Sequence, residues 1–221
     1  MKRKLATPAI LLTFILLILA PSAWADPVTM RIVWPGSIGT SVAVSWDSGA
    51  TFTNVFAGTL KIKIDSNFTF GYCVDLEHSI DWNTPYPADL VSTSSVPPSG
   101  NYDLAKAAWL LNTYGGSLPT LDHHVALQLA IWNALYDNDT DVGSGGIFRS
   151  NANATVVAIA NAMLAALYSS SYSASQAILI DTENPAGTTY TQNFITTPEP
   201  TALVLLGTGM LGLALVRRRK R

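Results

Sequence analysis

The chain has 221 residues, 48% hydrophobic and 13% charged, with 12 Pro, 15 Gly and a single Cys. That length suits one domain plus processing segments and a core needing no disulfide or metal staple, while a charged fraction about half the usual quarter excludes a solvated, disordered chain. The formal net charge of −2 hides a segregation: Lys2–Lys4 and Arg217–Arg221 carry eight of the 13 basic residues, whereas residues 26–196 hold five basic and fourteen acidic side chains, a net of −9 that excludes a nucleic-acid-binding surface.

Residues 1–25 read as a secretory signal peptide: a basic start at Lys2–Lys4, an apolar run from Ala9 to Ala20, and Ala23-Trp24-Ala25 before cleavage at Asp26 by a signal peptidase. Short β-like runs follow at Val28–Val33, Ser41–Trp46 and Leu60–Ile64, punctuated by Gly36, Gly39, Gly49 and Gly58. In the last run Lys61 and Lys63 alternate with Leu60, Ile62 and Ile64, the pattern of a half-buried strand. A further strand is predicted over Phe68–Leu76, and a surface loop over 81–100, rich in Pro, Ser and Thr. Helical spacing then covers Tyr102–Asn112, Leu121–Tyr136 and Ala152–Tyr168, and strands are predicted again at Gln176–Ile180 and Thr188–Ile195. The fold expected for residues 26–196 is therefore a single α+β domain, a β-sandwich or barrel-like sheet with an inserted helical cluster.

From residue 197 the pattern changes. Pro198-Glu199-Pro200 precedes a fifteen-residue apolar run, Ala202–Val216, and then Arg217–Arg221. Such a run barely crosses a bilayer, and the basic cluster behind it would be held on the cytoplasmic side. Pro-Glu-Pro, a short hydrophobic helix and an Arg-rich end, in that order, resemble the PEP-CTERM sorting signal. The resemblance implies export by a Gram-negative bacterium, transient anchoring in the inner membrane by the C-terminal helix, removal of the tail by an exosortase, and delivery to the cell surface or beyond.

A lone cysteine in an exported chain has no intramolecular partner to pair with. Cys73 is then a buried thiol, half of an intermolecular disulfide, or a thiol committed to other chemistry. Gln128 is the second outlier, a polar residue in Leu127-Gln128-Leu129-Ala130-Ile131-Trp132 with Leu121, His124, Val125, Ile131, Trp132 and Leu135 at helical neighbour positions. A carboxamide on an apolar face either finds backbone partners or has been consumed by a thiolate.

Tyr72-Cys73-Val74-Asp75 and Gln128-Leu129-Ala130-Ile131-Trp132, with Ala107–Asn112 between them, resemble the thioester domains of bacterial surface adhesins. Leu127 stands where many members carry Thr. The resemblance implies that the Cys73 thiolate attacks the Gln128 carboxamide, releases ammonia and leaves a thioester. Tyr72 and Trp132 would exclude water from it, and Asp75 and His124 would support it. The amine of another surface protein, or of an exopolysaccharide, would then displace Cys73 and form a covalent tether in a single turnover, without cofactor. The chain would be a covalent binder, not an enzyme, and itself a substrate of signal peptidase and exosortase.

Other readings compete. A Cys73 hydrolase would take His123 or His124 as base, oriented by Asp122 or Asp75. A non-covalent matrix or carbohydrate-binding protein would use Trp34, Trp46, Trp82 or Trp109. Asp137, Asp139 and Asp141 begin like a calcium loop, but the glycine falls one place late and Phe148 stands at position twelve, so a solvated loop with no metal is the default.

Overall fold

The computed structural model describes residues 28–182 and 191–197. The strands are β1 (Val28–Ile32), β2 (Ile38–Ser45), β3 (Thr53–Ile64), β4 (Asn67–Cys73), β5 (Tyr86–Ser92), β6 (Arg149–Ser150), β7 (Ile178–Asp181) and β8 (Phe194–Thr196). The helices are α1 (Leu104–Tyr114), α2 (Leu121–Tyr136) and α3 (Ala154–Tyr168). Strand order β1-β5-β7-β8-β4-β3 closes on itself through a β1–β3 pairing, giving a six-stranded antiparallel barrel; β2 and β6 extend it from the edge of β3. Closure leaves these six strands without the exposed edges of an open sheet.

Alternation fills the barrel. Met30, Ile32, Leu60 and Ile62 are buried, while Lys61 and Lys63 turn outward, their ammonium groups lying 4.5 and 5.9 Å from the Phe68 ring centroid. β3 is long because it serves two partners. Its first half pairs with β2 from Thr53 to Thr59, its second half with β1 from Ile62 to Ile64. The handover falls between Thr59 and Ile62, and just before it stands Gly58, whose φ of +146° and close approach to Gly39 admit no side chain: an added Cβ would stand 2.3 Å from the Ile38 carbonyl oxygen.

The three helices lie in the chain between β5 and β7. Asp103 caps α1 by accepting from the Ala105 N–H at 3.0 Å, and Asn153 caps α3 by accepting from the Val156 N–H at 3.0 Å. The central helix, α2, spans the residues its periodicity predicts, but it does not present one apolar stripe. Every residue from Val125 to Leu135 is buried, because α2 lies between α1, α3 and the β2–β3–β4 wall. Ala126, Ala130 and Ala134, four residues apart, give the helix one face of small side chains on which a neighbour can approach closely.

The segment 81–100, expected to be a surface loop, instead contributes a barrel stave, β5, followed by a short 3-10 turn at Thr93–Ser95. Pro87 is tolerated because residues 86–88 pair with β1 alone, and β7 joins the other edge only from Asp89. β4 ends at Cys73 rather than Leu76. Of the closing strands, β8 covers Phe194–Thr196, and the preceding residues 183–190 lie outside the described ones. The signal peptide and the Pro198–Glu199–Pro200 tail also lie outside them. Among the described residues no helix is long and apolar enough to cross a membrane.

Candidate functional site at the Cys73–Gln128 junction

Cys73 is the last residue of β4, and its place in the sheet dictates what it needs. Val74 N–H bonds the Asn193 carbonyl at 3.0 Å on the β8 side, so by antiparallel alternation the N–H and C=O of Cys73 face the opposite edge. That edge belongs to β3, but the β3–β4 ladder stops at Leu60–Gly71, where β3 departs toward β2. The vacancy is filled by a side chain. Gln128, fully buried on α2, accepts from the Cys73 N–H through Oε1 at 3.0 Å and donates Nε2–H to the Cys73 carbonyl at 2.8 Å. Its carboxamide thus stands where the next peptide group of β3 would have been.

The thiol is equally enclosed. Sγ–H donates to the Asp75 carbonyl at 2.8 Å, and the Asp75 N–H approaches the sulfur at 3.4 Å. Burial pushes the Cys73 thiol up to about 12 from 9.0, opposed in part by the Asp75 backbone and by the Trp132 indole beside it. Trp132, one helical turn after Gln128, is 1% exposed, and its Nε1–H makes no hydrogen bond of normal length and angle, its nearest electrostatic partner being the Cys73 sulfur. A buried donor without a well-formed hydrogen bond costs about 1–3 kcal/mol; here it lies against the one sulfur atom that can carry charge.

Tyr72, on the opposite face of β4, bonds the Thr59 hydroxyl at 2.5 Å, and Thr59 in turn bonds His124 Nδ1 at 2.6 Å. Burial raises the Tyr72 phenol to about 12. Burial first, and the neighbouring His123 second, lower the His124 pKa and favour the neutral imidazole. His124 therefore joins the junction through Thr59 and Tyr72, and its ring is engaged by Thr59 and the Leu118 backbone, not by Cys73 or Gln128. His123 bonds Thr120 at 2.8 Å at the start of α2.

Asp75 brings His78 into the site. Its Oδ2 lies 2.7 Å from His78 Nδ1, and its Oδ1 accepts from the N–H groups of Glu77 and His78. The Asp-x-x-His spacing directly after Cys73 was visible in the sequence and is the signal that could have found this pair. Both residues line a cavity of about 580 Å³ that also touches Tyr102 and Tyr136.

Asp137, Asp139 and Asp141 do not converge on a metal position. Asp137 Oδ2 accepts from the N–H groups of Ile147 and Phe148, Asp139 Oδ1 from Asn133 Nδ2 and the Asp141 N–H, and Asp141 Oδ1 from the Gly143 N–H. Those bonds, the Gly143 N–H foremost, hold the Asp141 carboxyl below its usual range. Among the described residues no group of three or more His, Cys, Asp or Glu side chains could hold a metal ion. Of the tryptophans, Trp34 and Trp82 form an exposed edge-to-face cluster with Phe56, at centroid distances of 5.2 to 6.5 Å. Trp46 and Trp109 pack against the core.

Comparison with protein families adds one match, the PEP-CTERM protein-sorting motif over residues 196–220. That motif marks a secreted surface protein processed by an exosortase. Curated proteins and solved structures give no match.

Proposed function

We propose that the body of this surface protein forms an internal thioester between Cys73 and Gln128 and uses it for one covalent attachment to an amine-bearing partner. The observation that carries the reading is the placement of the Gln128 carboxamide on the backbone of the chain's one cysteine, in a junction closed to water. The thiol sulfur adds to Cδ, the thiol proton leaves with the amide nitrogen as ammonia, and a C–S bond replaces the C–N bond. Amides are poor electrophiles, so fixed proximity and donors for the tetrahedral oxyanion must supply the rate. Trp132 Nε1–H is the buried donor available for that charge or for the departing thiolate.

The raised thiol pKa keeps the unreacted cysteine protonated. The thioester removes that titration altogether and leaves an acyl group shielded by Tyr72, Trp132 and α2. Attack by a primary amine on the Gln128 acyl carbon breaks the C–S bond, regenerates the Cys73 thiol and leaves an isopeptide-type link. The reaction ends there, without turnover.

Intact mass tests the reading. The purified protein is expected to lack the mass of one ammonia, to gain one methylamine on treatment with release of a titratable thiol, and to show neither change as Cys73→Ala. A full, unmodified mass with a free thiol in the folded wild type refutes it. The exposed Trp34–Phe56–Trp82 cluster supports a second reading, non-covalent binding to a matrix polysaccharide. In that case adhesion survives Cys73→Ala and is lost with Trp34→Ala.

A further inference from the structure

Residues 26–196 hold fourteen acidic and five basic side chains, and the basic ones are not spread evenly. Arg31, Lys61 and Lys63 share one outer face of the barrel, and the antiparallel register sets how they are arrayed. Arg31 of β1 lies opposite Lys63 of β3, Lys63 lies opposite Phe68 of β4, and Lys61 lies opposite Phe70. Residues directly opposite point to the same side of a sheet, so three cations and two phenyl rings form adjacent cross-strand rows. Phe68 is 56% exposed and Phe70 54%. Asp65, the carboxylate bordering the rows, accepts from the Thr29 N–H at 2.9 Å. Among the described residues no ion pair joins Arg31, Lys61 or Lys63 to an acid.

The chain leaves the barrel at the same place. Gly71 of β4 lies opposite Thr196 of β8, and the Thr196 hydroxyl donates to the Phe70 carbonyl at 2.8 Å, so Thr197 follows beside Phe70. Thr197 also shares with Phe68 and Leu90 the lining of a cavity of about 200 Å³. The sorting motif is matched from residue 196, and its apolar run starts at Ala202. Five peptide steps separate Thr197 from Ala202, a reach of at most about 18 Å.

We propose that this face docks on the headgroups of an anionic phospholipid bilayer, the one that the C-terminal apolar run enters. Arg31, Lys61 and Lys63 meet the lipid phosphates, and Phe68 and Phe70 enter the boundary between headgroups and acyl chains. Two observations favour a bilayer over a soluble polyanion. The exposed phenyl rings are apolar surface that a polyanion would leave wet, and the exit of the chain beside Phe70 holds this face within reach of the membrane. The acidic remainder of the body is repelled by the same lipid, which turns the basic face down. The proposal does not depend on the state of Cys73.

The test uses the exported chain, residues 26–221, held by its own tail in vesicles of phosphatidylcholine, with or without about 30% phosphatidylglycerol. Hydroxyl-radical oxidation of Phe68 and Phe70 is read by mass spectrometry against that of Trp34, which is 53% exposed and outside the two rows. Each cation near an anionic surface strengthens binding about fivefold, so three favour the docked state about a hundredfold. The oxidation ratio is therefore expected to fall at least fivefold from neutral to anionic vesicles, and to recover as salt is raised. Lys61→Glu with Lys63→Glu, both at outward positions, is expected to keep the neutral-vesicle ratio in anionic vesicles. An unchanged ratio in the wild type overturns the proposal, and so does equal protection in neutral and anionic vesicles. Protection by soluble polygalacturonate without vesicles gives the face to a matrix polyanion and overturns the lipid assignment. Protection of Trp34 in place of Phe68 and Phe70 puts a different face on the membrane and also refutes it.

Discussion

Opening the proposed cross-link changes stability by an amount the structure lets one calculate. Cys73 and Gln128 lie 55 residues apart in sequence. A covalent bond between them closes a loop of that length in the unfolded chain, and the loop-entropy relation then gives a stabilisation of about 4 kcal/mol at 25 °C. Without the bond, Cys73→Ala removes one buried sulfur atom and leaves the Gln128 carboxamide on the same backbone groups, a loss of about 1 kcal/mol. The two cases are well separated in urea unfolding followed by tryptophan fluorescence. The wild type is expected to exceed both Cys73→Ala and the methylamine-treated protein by about 4–5 kcal/mol. It should also unfold with the smaller m-value, because a tethered chain exposes less surface. The chain has no second cysteine, so a reductant cannot mimic the effect. A difference near 1 kcal/mol, equal m-values and no response to methylamine would refute the cross-link.

The same site predicts a pH response. In an unlinked protein the Cys73 thiol has a folded pKa raised to about 12 against 9.0 unfolded, so between those values the unfolded state holds fewer protons and stability falls as pH rises; Cys73→Ala removes that share of the fall. A linked Cys73 has no proton to lose, so the wild type and Cys73→Ala should run parallel above pH 9 in guanidinium melts. Trp132→Phe keeps most of the ring and deletes the indole N–H, so folding stability is expected to hold within about 1 kcal/mol while ammonia loss slows, read by mass against time after refolding. Lys106→Met strips three acceptors of their donor near the end of α2 and is expected to destabilise by about 2–3 kcal/mol in urea. The Lys106 pKa is lowered chiefly by burial, so its folded state binds fewer protons, and stability gains from this residue as pH rises toward 10.5.

Period-two alternation made β1, β2 and the second half of β3 legible, because one face of each is buried against the barrel and the other meets solvent or a helix. α2 was legible from Pro119-Thr120 at its start and sixteen residues of helix-forming pattern, although its burial on all sides depends on how three helices meet the β2–β3–β4 wall. β5 was not legible. Its Pro87 reads as a loop signal unless one knows that residues 86–88 have a neighbour on one side only, a fact created by β1 and β7 from distant parts of the chain. The Asp137–Asp141 loop begins like a calcium loop in local spacing, with a solvated loop as the default reading; what spacing could not show is that Ile147, Phe148 and Gly143 supply N–H groups to those carboxylates.

Gln128 shows how far a polar outlier can be followed. The sequence marks it as a buried carboxamide that needs partners, but the partners are decided beyond Leu60–Gly71, where the β3–β4 ladder stops and leaves one strand edge open at Cys73. A strand-edge cap requires a side-chain amide on the helix and makes no demand on the residue whose backbone it covers, since every residue but proline offers the same N–H and C=O. Cys is the rarest side chain in this exported chain, present once, and it occupies the capped position. A purely structural role for Gln128 leaves that coincidence without a cause, whereas acyl transfer needs a sulfur nucleophile at this point, backed by an aromatic N–H and closed to water. Cys73→Ala and Cys73→Ser separate the two: both keep the backbone cap, and neither can form or release the thioester.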